Sequence, residues 1–304
     1  MKLAVLICTY NPKRYLIEQL ESILIQVPNS VDIFIYDDSE YPNFILESIK
    51  EKHSNRVNVF SGPKKGHAKY NFIYSLKQLY KYDWVFLSDQ DDIWCNNKYQ
   101  TYLQTISSQC VEDVPYLIFS DASIVNSQGR IISDSFLRYQ QLNINILDSD
   151  DLMLRNCAQG ATFCINKKII HLIQLAFPTL ESIDNILMHD WWVAILAKYF
   201  GEIKFIDKPL LKYRQHDSNE VGAKSLFKNI SLGLLNIHEL TKKFKKIELQ
   251  LLFFYNFSYA IGYLEYNGQR KLKLSKLSFI KLLLVKLVSK FMNKNKNCAN
   301  EDLR

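Results

Sequence analysis

No hydrophobic run in this 304-residue chain approaches the roughly 20 residues that a membrane-spanning helix needs. The six cysteines, Cys8, Cys95, Cys110, Cys157, Cys164 and Cys298, contain no CxxC pair and no regular spacing. That argues against a zinc knuckle or a disulfide frame, and predicts a reducing compartment. There is no internal repeat, and no low-complexity stretch beyond the NKNKN near the carboxyl end. The opening MKLAVLICTYNPKRY offers only about six apolar residues before Thr9, too few for a signal-peptide core, so a cytoplasmic protein without an export signal is expected. What the chain does have is 48% hydrophobic residues, enough to bury a substantial core and to exclude full disorder. One domain of ordinary size plus an appendage is the resulting expectation.

Charge divides the chain. Residues 224–304 hold 16 Lys and Arg against 5 Asp and Glu, a balance of +11, whereas residues 1–223 hold 22 against 26, a balance of −4. A mildly acidic body, residues 1–223, therefore carries a basic extension, residues 224–304. Such an extension suits an anionic surface, or is simply the solvated side of a helix. Nucleic acid is disfavoured, because the lysines alternate with a heavily apolar helical pattern and lack the aromatic, glycine-rich groove of single-strand binders.

The first 120 residues alternate between strand-like and helix-like patterns, which predicts a mostly parallel sheet flanked by helices. Strands are expected at Leu3–Cys8, Val31–Tyr36, Val57–Ser61, Trp84–Leu87 and Tyr116–Asp121, and helices at Tyr15–Gln26, Tyr41–Lys52 and Tyr70–Tyr80. Ser133–Leu147 reads as loop with a short helix, and Ala161–Asn166 as a strand before a helix at Lys168–Ala176. His189–Gly201 opens with an acid and exits at glycine, as a helix should. Two short strands, Ile203–Ile206 and Leu210–Tyr213, are expected around Pro209, and a basic helical pattern from Ser225 onward.

In open sheets of this kind ligands bind beyond the carboxyl ends of the strands. Polar clusters fall at those ends: Thr9-Tyr10-Asn11, Asp37-Asp38-Ser39 and Ser88-Asp89-Gln90-Asp91-Asp92. Three carboxylates within FLSDQDDIW repel one another unless a cation or hydrogen-bond donors compensate them. Mg²⁺ or Mn²⁺ would do so, bridging one or two carboxylates to substrate phosphates. The alternative is a solvated loop in which Asp92 caps the next helix.

The ordered series VLICTYNP, VDIFIYDDS, FLSDQDDIW, QGATF at Gln159–Phe163, HDWW at His189–Trp192 and YRQH at Tyr213–His216 spreads over about 210 residues. It resembles the inverting family 2 glycosyltransferases of the GT-A fold, particularly their bacterial rhamnosyltransferase-like members. The resemblance implies a Rossmann-like mostly parallel sheet with a nucleotide-sugar site built by Thr9, Tyr10, Asn11 and Asp38, the last accepting hydrogen bonds from base or ribose. Gly66 would let backbone approach the nucleotide, and Lys65 or Lys69 would meet phosphate or serve as a generic basic loop. Asp89 and Asp91 would form the metal-binding DxD pair, Asp91 in direct contact, with His216 closing over metal or diphosphate.

Asp190 would be the general base on the far side of the anomeric carbon, although an acid at a helix start is also a favourable cap. The usual family pattern is Glu-Asp or a similar pair; here His189 precedes the Asp, which leaves the role of that histidine undefined. Trp191 and Trp192 would line the sugar or acceptor by stacking, with at least one in the core. Gln159 and Gly160 would shape the floor, and Arg214 would contact the donor or brace an acid.

The expected reaction moves a sugar, best matched by L-rhamnose from dTDP-rhamnose, to a hydroxyl of a lipid-linked or oligosaccharide acceptor of a surface polysaccharide such as O-antigen or capsule. A UDP-hexose donor and a non-catalytic nucleotide-sugar-binding module are the competing readings. Residues 271–292, KLKLSKLSFIKLLLVKLVSKFM, combine an apolar arc with recurrent lysines. They would lie on the inner face of an anionic membrane, or pack on the body or on a second subunit in a homo-oligomer.

Overall fold

The computed structural model describes residues 1–109, 113–216 and 237–262. Among them nine strands form one sheet: β1 Leu3–Thr9, β2 Asp32–Asp37, β3 Val57–Ser61, β4 Trp84–Ser88, β5 Ile93–Trp94, β6 Tyr116–Val125, β7 Ile131–Ser133, β8 Cys164–Asn166 and β9 Glu202–Arg214. Their order is β3-β2-β1-β4-β8-β6-β9-β5, with β7 on β6. The β3-β2-β1-β4 half is parallel throughout, β8 runs antiparallel to both β4 and β6, β9 is parallel to β6, and β5 is antiparallel to β9. The α/β architecture with a mostly parallel first half matches the expectation.

Continuous apolar strands produce this arrangement. Every residue of β1, β4 and β6 is buried, as strands covered on both faces must be. The covering helices are α1 Tyr15–Leu24, α2 Phe44–His53, α3 Ala68–Gln78, α4 Lys98–Gln109, the single turn α5 Phe136–Tyr139, α6 Lys167–Ala176 and α7 His189–Phe200. Helix α1 buries Leu16, Leu20 and Ile23, one stripe at helical spacing, into a core shared with Val5, Ile7, Ile33 and Phe86. Helix α7 is buried along most of its length, from His189 through Ala197 except for Asp190.

Local chemistry moves several boundaries. Helix α2 starts at Phe44 rather than Tyr41, because the Asn43 side chain accepts the Ile45 N–H at 2.9 Å and so caps it. Helix α3 starts at Ala68, two residues early, with the His67 ring accepting from the Lys69 N–H at 3.3 Å. The expected strand Ala161–Asn166 is a tight 3₁₀ turn, Gly160–Thr162, followed by only three strand residues. The two strands expected around Pro209 are one strand, β9, because Pro209 falls where the register with β6 shifts and needs no ladder bond there. Helix α4 was not anticipated: KYQTYLQTISSQ is polar, and its buried side is carried by Tyr99, Tyr102 and Ile106 rather than by an aliphatic stripe.

These described residues form two compact units. The first comprises 1–109, 113–143, 157–184 and 188–216, and holds the whole sheet. The second comprises 144–156, 185–187 and 237–262. It contains α8, Ile237–Ala260, which buries Ile247, Phe254 and Phe257, and whose Gln250 side chain accepts the Leu187 N–H at 2.9 Å. Among the described residues no helix is long and apolar enough to cross a membrane. The basic segment 271–292 lies outside the described residues, as does most of the extension expected at 224–304.

Candidate active site

Strands β1, β2 and β4 end side by side, with Thr9 opposite Asp37 and Ile7 opposite Ser88, so the three polar clusters share one edge of the sheet. The Asp37 carboxylate accepts the Thr9 hydroxyl at 2.8 Å and the Ser39 hydroxyl at 2.7 Å. Ser39 in turn accepts the backbone N–H of Asn11 at 2.7 Å, which holds Asn11 in the left-handed region at φ 46°. Asn71 of α3 donates to the Thr9 carbonyl at 3.2 Å and to the Tyr36 carbonyl at 2.9 Å. One side chain thus ties both strand ends together.

Asp38 is buried, and its carboxylate organises the loop after β3. It accepts the backbone N–H groups of Lys64, of Lys65 at 3.1 Å and of Gly66 at 2.6 Å. A carboxylate accepting several backbone amides is a strong anchor. Gly66 has φ +64°, a conformation glycine adopts freely, and it faces the ring of Tyr10, which is 49% exposed. Gly62 is required sterically, since a Cβ there would lie 2.8 Å from the Asn71 side-chain oxygen and 3.0 Å from an Asp38 oxygen. Lys69 is buried, with its ammonium 5.1 Å from the Tyr70 ring centre.

In the DQDD loop the four residues occupy different environments. Gln90 clamps Tyr10, accepting its N–H at 2.9 Å and donating to its carbonyl at 3.2 Å. Asp91 meets His216, Oδ2 to Nε2 at 2.7 Å, each side chain 14% exposed. Asp89 is half-buried at the end of β4. Asp92 is fully buried; one oxygen accepts the Arg214 N–H at 3.0 Å. Burial first, then the neighbouring Asp91 and Asp89 charges, push the Asp92 carboxyl well above the usual carboxylate range.

Arg214, expected among the donor contacts, is buried and braces the loop from behind. Its guanidinium donates to the Asp91 carbonyl at 3.0 Å, the Ser127 carbonyl at 3.1 Å and Glu18 at 2.5 Å. It also lies 4.5 Å from the Tyr15 ring centre, and the same ring stacks with His216 at 5.4 Å.

The donor set suits a divalent cation that shares its coordination with a substrate. Among the described residues no group of three or more His, Cys, Asp or Glu side chains is arranged to hold a metal unaided. The adjacent Asp91 carboxylate and His216 imidazole, with Asp89 two residues away, fit Mg²⁺ or Mn²⁺ that takes its remaining oxygens from a diphosphate and water.

The amino end of α7 meets the turn at Gly160. A Cβ on Gly160 would lie 2.9 Å from the His189 Nε2 and 3.0 Å from the Asp190 Cβ, so the backbone of the turn packs directly on side-chain atoms of the helix start. His189 is buried and stacks on Phe72 of α3, centroids 4.1 Å apart and planes 15° apart. The ring therefore has no room to retreat. Gly160→Ala is expected to cost about 1–3 kcal/mol by overpacking, read as a lower urea midpoint, and to displace Asp190.

Asp190 is half-buried in the first turn, and its Oδ1 accepts the Trp191 N–H at 2.6 Å. Trp191 and Trp192 are both buried, Trp192 edge-on to Phe177 at 5.8 Å. Gln159 begins the turn; its carbonyl accepts both the N–H and the hydroxyl of Thr162, at 3.0 and 2.7 Å. The turn is pinned beside β4 by the Leu87 N–H donating to the Phe163 carbonyl at 2.9 Å.

The structure thus brings Thr9, Tyr10, Asn11, Asp38, Gly66, Asp89 and Asp91 to one sheet edge, sets His216 on Asp91, and places Gln159, Gly160 and Asp190 beside the neighbouring strand. Sequence reading placed Gln90 in the strand-end cluster without a role, and missed Asn71, Phe72, Tyr15 and Glu18. All act through partners distant in the chain, and no local pattern reveals those partners.

Residues 4–153 match the family described as Glycosyl transferase family 2. The dTDP-rhamnosyl transferase RfbG of Shigella flexneri is 29% identical over 233 residues, which cover 72% of this chain and 75% of that protein. An uncharacterized glycosyltransferase of Rickettsia felis is 25% identical over 251 residues, covering 79% of this chain but only 39% of the longer relative. Among solved structures, S. aureus TarS 1-349 in complex with UDP-GlcNAc superposes with a TM-score of 0.52 at 17% identity, covering 86% of this chain and 73% of that one.

Proposed function

Because residues 4–153 match glycosyl transferase family 2, we propose that the chain is an inverting transferase of that family that moves a sugar from a nucleotide-sugar, best matched by dTDP-L-rhamnose, to a hydroxyl of a surface-polysaccharide intermediate such as O-antigen or capsule. The observation that supports this reading is the shared sheet edge on which the Thr9 and Asp38 strand ends and the DQDD loop lie, with His216 on Asp91 and with the Gly160 turn, pinned beside β4, in contact with Asp190. The dTDP-rhamnosyl transferase at 29% identity supports the choice of donor.

In this reading the nucleoside lies against Tyr10 and the loop that Asp38 holds through Lys64, Lys65 and Gly66. Lys69 and the adjacent basic loop face the phosphates. Asp91, Asp89 and His216 would hold Mg²⁺ or Mn²⁺, which would supply positive charge beside the leaving diphosphate. Asp190 takes the proton of the acceptor hydroxyl. The freed oxygen pair forms the bond to the anomeric carbon as the carbon–oxygen bond to the diphosphate breaks, its electrons leaving with the nucleoside diphosphate. Attack from the face opposite the leaving group inverts the anomeric centre.

The +11 balance of residues 224–304 supports a peripheral position on an anionic membrane, where lysines near the surface contribute roughly 1 kcal/mol each and a lipid-linked acceptor would lie. A thermal-shift panel of nucleotide-sugars with and without Mn²⁺ tests the proposal. Stabilisation by dTDP species that grows with Mn²⁺ is the expected result. A response to UDP-hexoses alone would replace the donor, and indifference to every nucleotide would leave only a degenerate fold that no longer binds nucleotide-sugars.

A further inference from the structure

Helix α4 carries a lysine that the proposed chemistry does not use. Lys98 is fully buried, and its ammonium donates to the Ala161 carbonyl at 3.0 Å. It lies 4.5 Å from the Trp94 ring centre and 5.8 Å from that of Tyr102. Four residues on, and so on the same face of the helix, the buried Tyr102 hydroxyl donates to the Thr162 carbonyl at 2.5 Å. Two consecutive carbonyls of one turn are therefore gripped from behind by two side chains of α4.

The same helix is tied to the DQDD loop. Trp94 follows Asp92 by two residues, and its backbone N–H donates to Ser22 at 3.0 Å and its indole N–H to Ser88 at 3.3 Å. The turn, in turn, meets His189 and Asp190 through Gly160. A continuous chain of contacts therefore links the acidic loop, Trp94, Lys98, Ala161, Gly160 and Asp190.

Keeping an ammonium there is unfavourable, since burial drives the Lys98 pKa down to about 7 against the opposing pull of Asp92. An apolar side chain would fill the space at lower cost, so the donor itself is what the site requires.

We propose that Lys98, assisted by Tyr102, is a positioning residue that holds the Gly160–Thr162 turn, and with it Asp190, at a set distance from the DQDD loop. The inference rests on the transferase reading, in which a misplaced base slows the chemical step by up to about 100-fold while the donor site stays formed.

The test uses the full chain with Lys98→Met and Tyr102→Phe. Three quantities are measured: dTDP release from dTDP-rhamnose with Mn²⁺, dTDP affinity by calorimetry, and amide hydrogen exchange at Thr162 and Phe163 without ligand. Lys98→Met is expected to lower kcat by roughly 10- to 100-fold, with KM and the dTDP Kd within about twofold, and to speed exchange at both amides. Tyr102→Phe should do the same to a smaller degree, and it decides the matter if Lys98→Met does not fold. Unchanged kcat and exchange, or a loss of dTDP affinity as large as the loss of kcat, would overturn the proposal. If the unaltered chain does not turn over dTDP-rhamnose, the donor reading has failed independently; exchange alone then decides, with faster exchange supporting the grip and unchanged exchange removing it.

Discussion

Asp190→Asn is expected to reduce sugar transfer by about 10²–10⁴-fold, the range a positioned general base contributes, while the protein melts almost as before. The reason for the separation is local. Asn retains an oxygen that can accept the Trp191 N–H now held at 2.6 Å, and loses only the favourable charge at the amino end of α7, about 0.3–1 kcal/mol. The Gly160 contact on the Asp190 Cβ is untouched by an isosteric change. Turnover of the donor chosen by the thermal-shift panel, set beside a circular-dichroism melt, reads both quantities. Full activity in Asp190→Asn would remove the base assignment and leave the residue as a helix cap.

Asp91→Asn should be equally severe for a different reason. The Asp91 carboxylate, in contact with His216 at 2.7 Å, would lose the charge that a divalent cation needs beside the leaving diphosphate, an electrostatic contribution of about 10²–10³-fold. Nucleotide binding should at the same time lose its dependence on Mn²⁺, because the cation shares its coordination with phosphate. Asp92→Asn is the control. That residue is fully buried and bonded to the Arg214 backbone, so its neutral replacement should leave the Mn²⁺ response in place. If Asp91→Asn binds nucleotide with undiminished response to Mn²⁺, the cation is held elsewhere.

Asp91 and Asp92, two of the three aspartates of the loop, show that neighbours in sequence can face different partners. The sequence reading singles out Asp89 and Asp91 as the pair and offers Asp92 as a helix cap in a solvated loop; the fold turns Asp91 toward His216 and buries Asp92 inward against β9. Arg214 illustrates the same point from the other side: next to a candidate ligand in sequence, it spends its guanidinium on Glu18 and two backbone carbonyls. Asp38 likewise closes a loop 26 to 28 residues downstream.

By itself the sequence determined the parallel half of the sheet and where its ligand edge lies. Leu3–Thr9 and Trp84–Ser88 are apolar runs long enough to be buried on both faces, and polar clusters at their ends have only one edge to occupy. Tertiary structure decided which acid faces the cleft, why residue 160 must be glycine, and that a polar helix at 98–109 grips the turn beside Asp190. Burial periodicity is a local property of the chain, written into neighbouring residues. The partner of a buried carboxylate, lysine or glycine lies tens of residues away or more, and only the packed fold brings the two within hydrogen-bond reach.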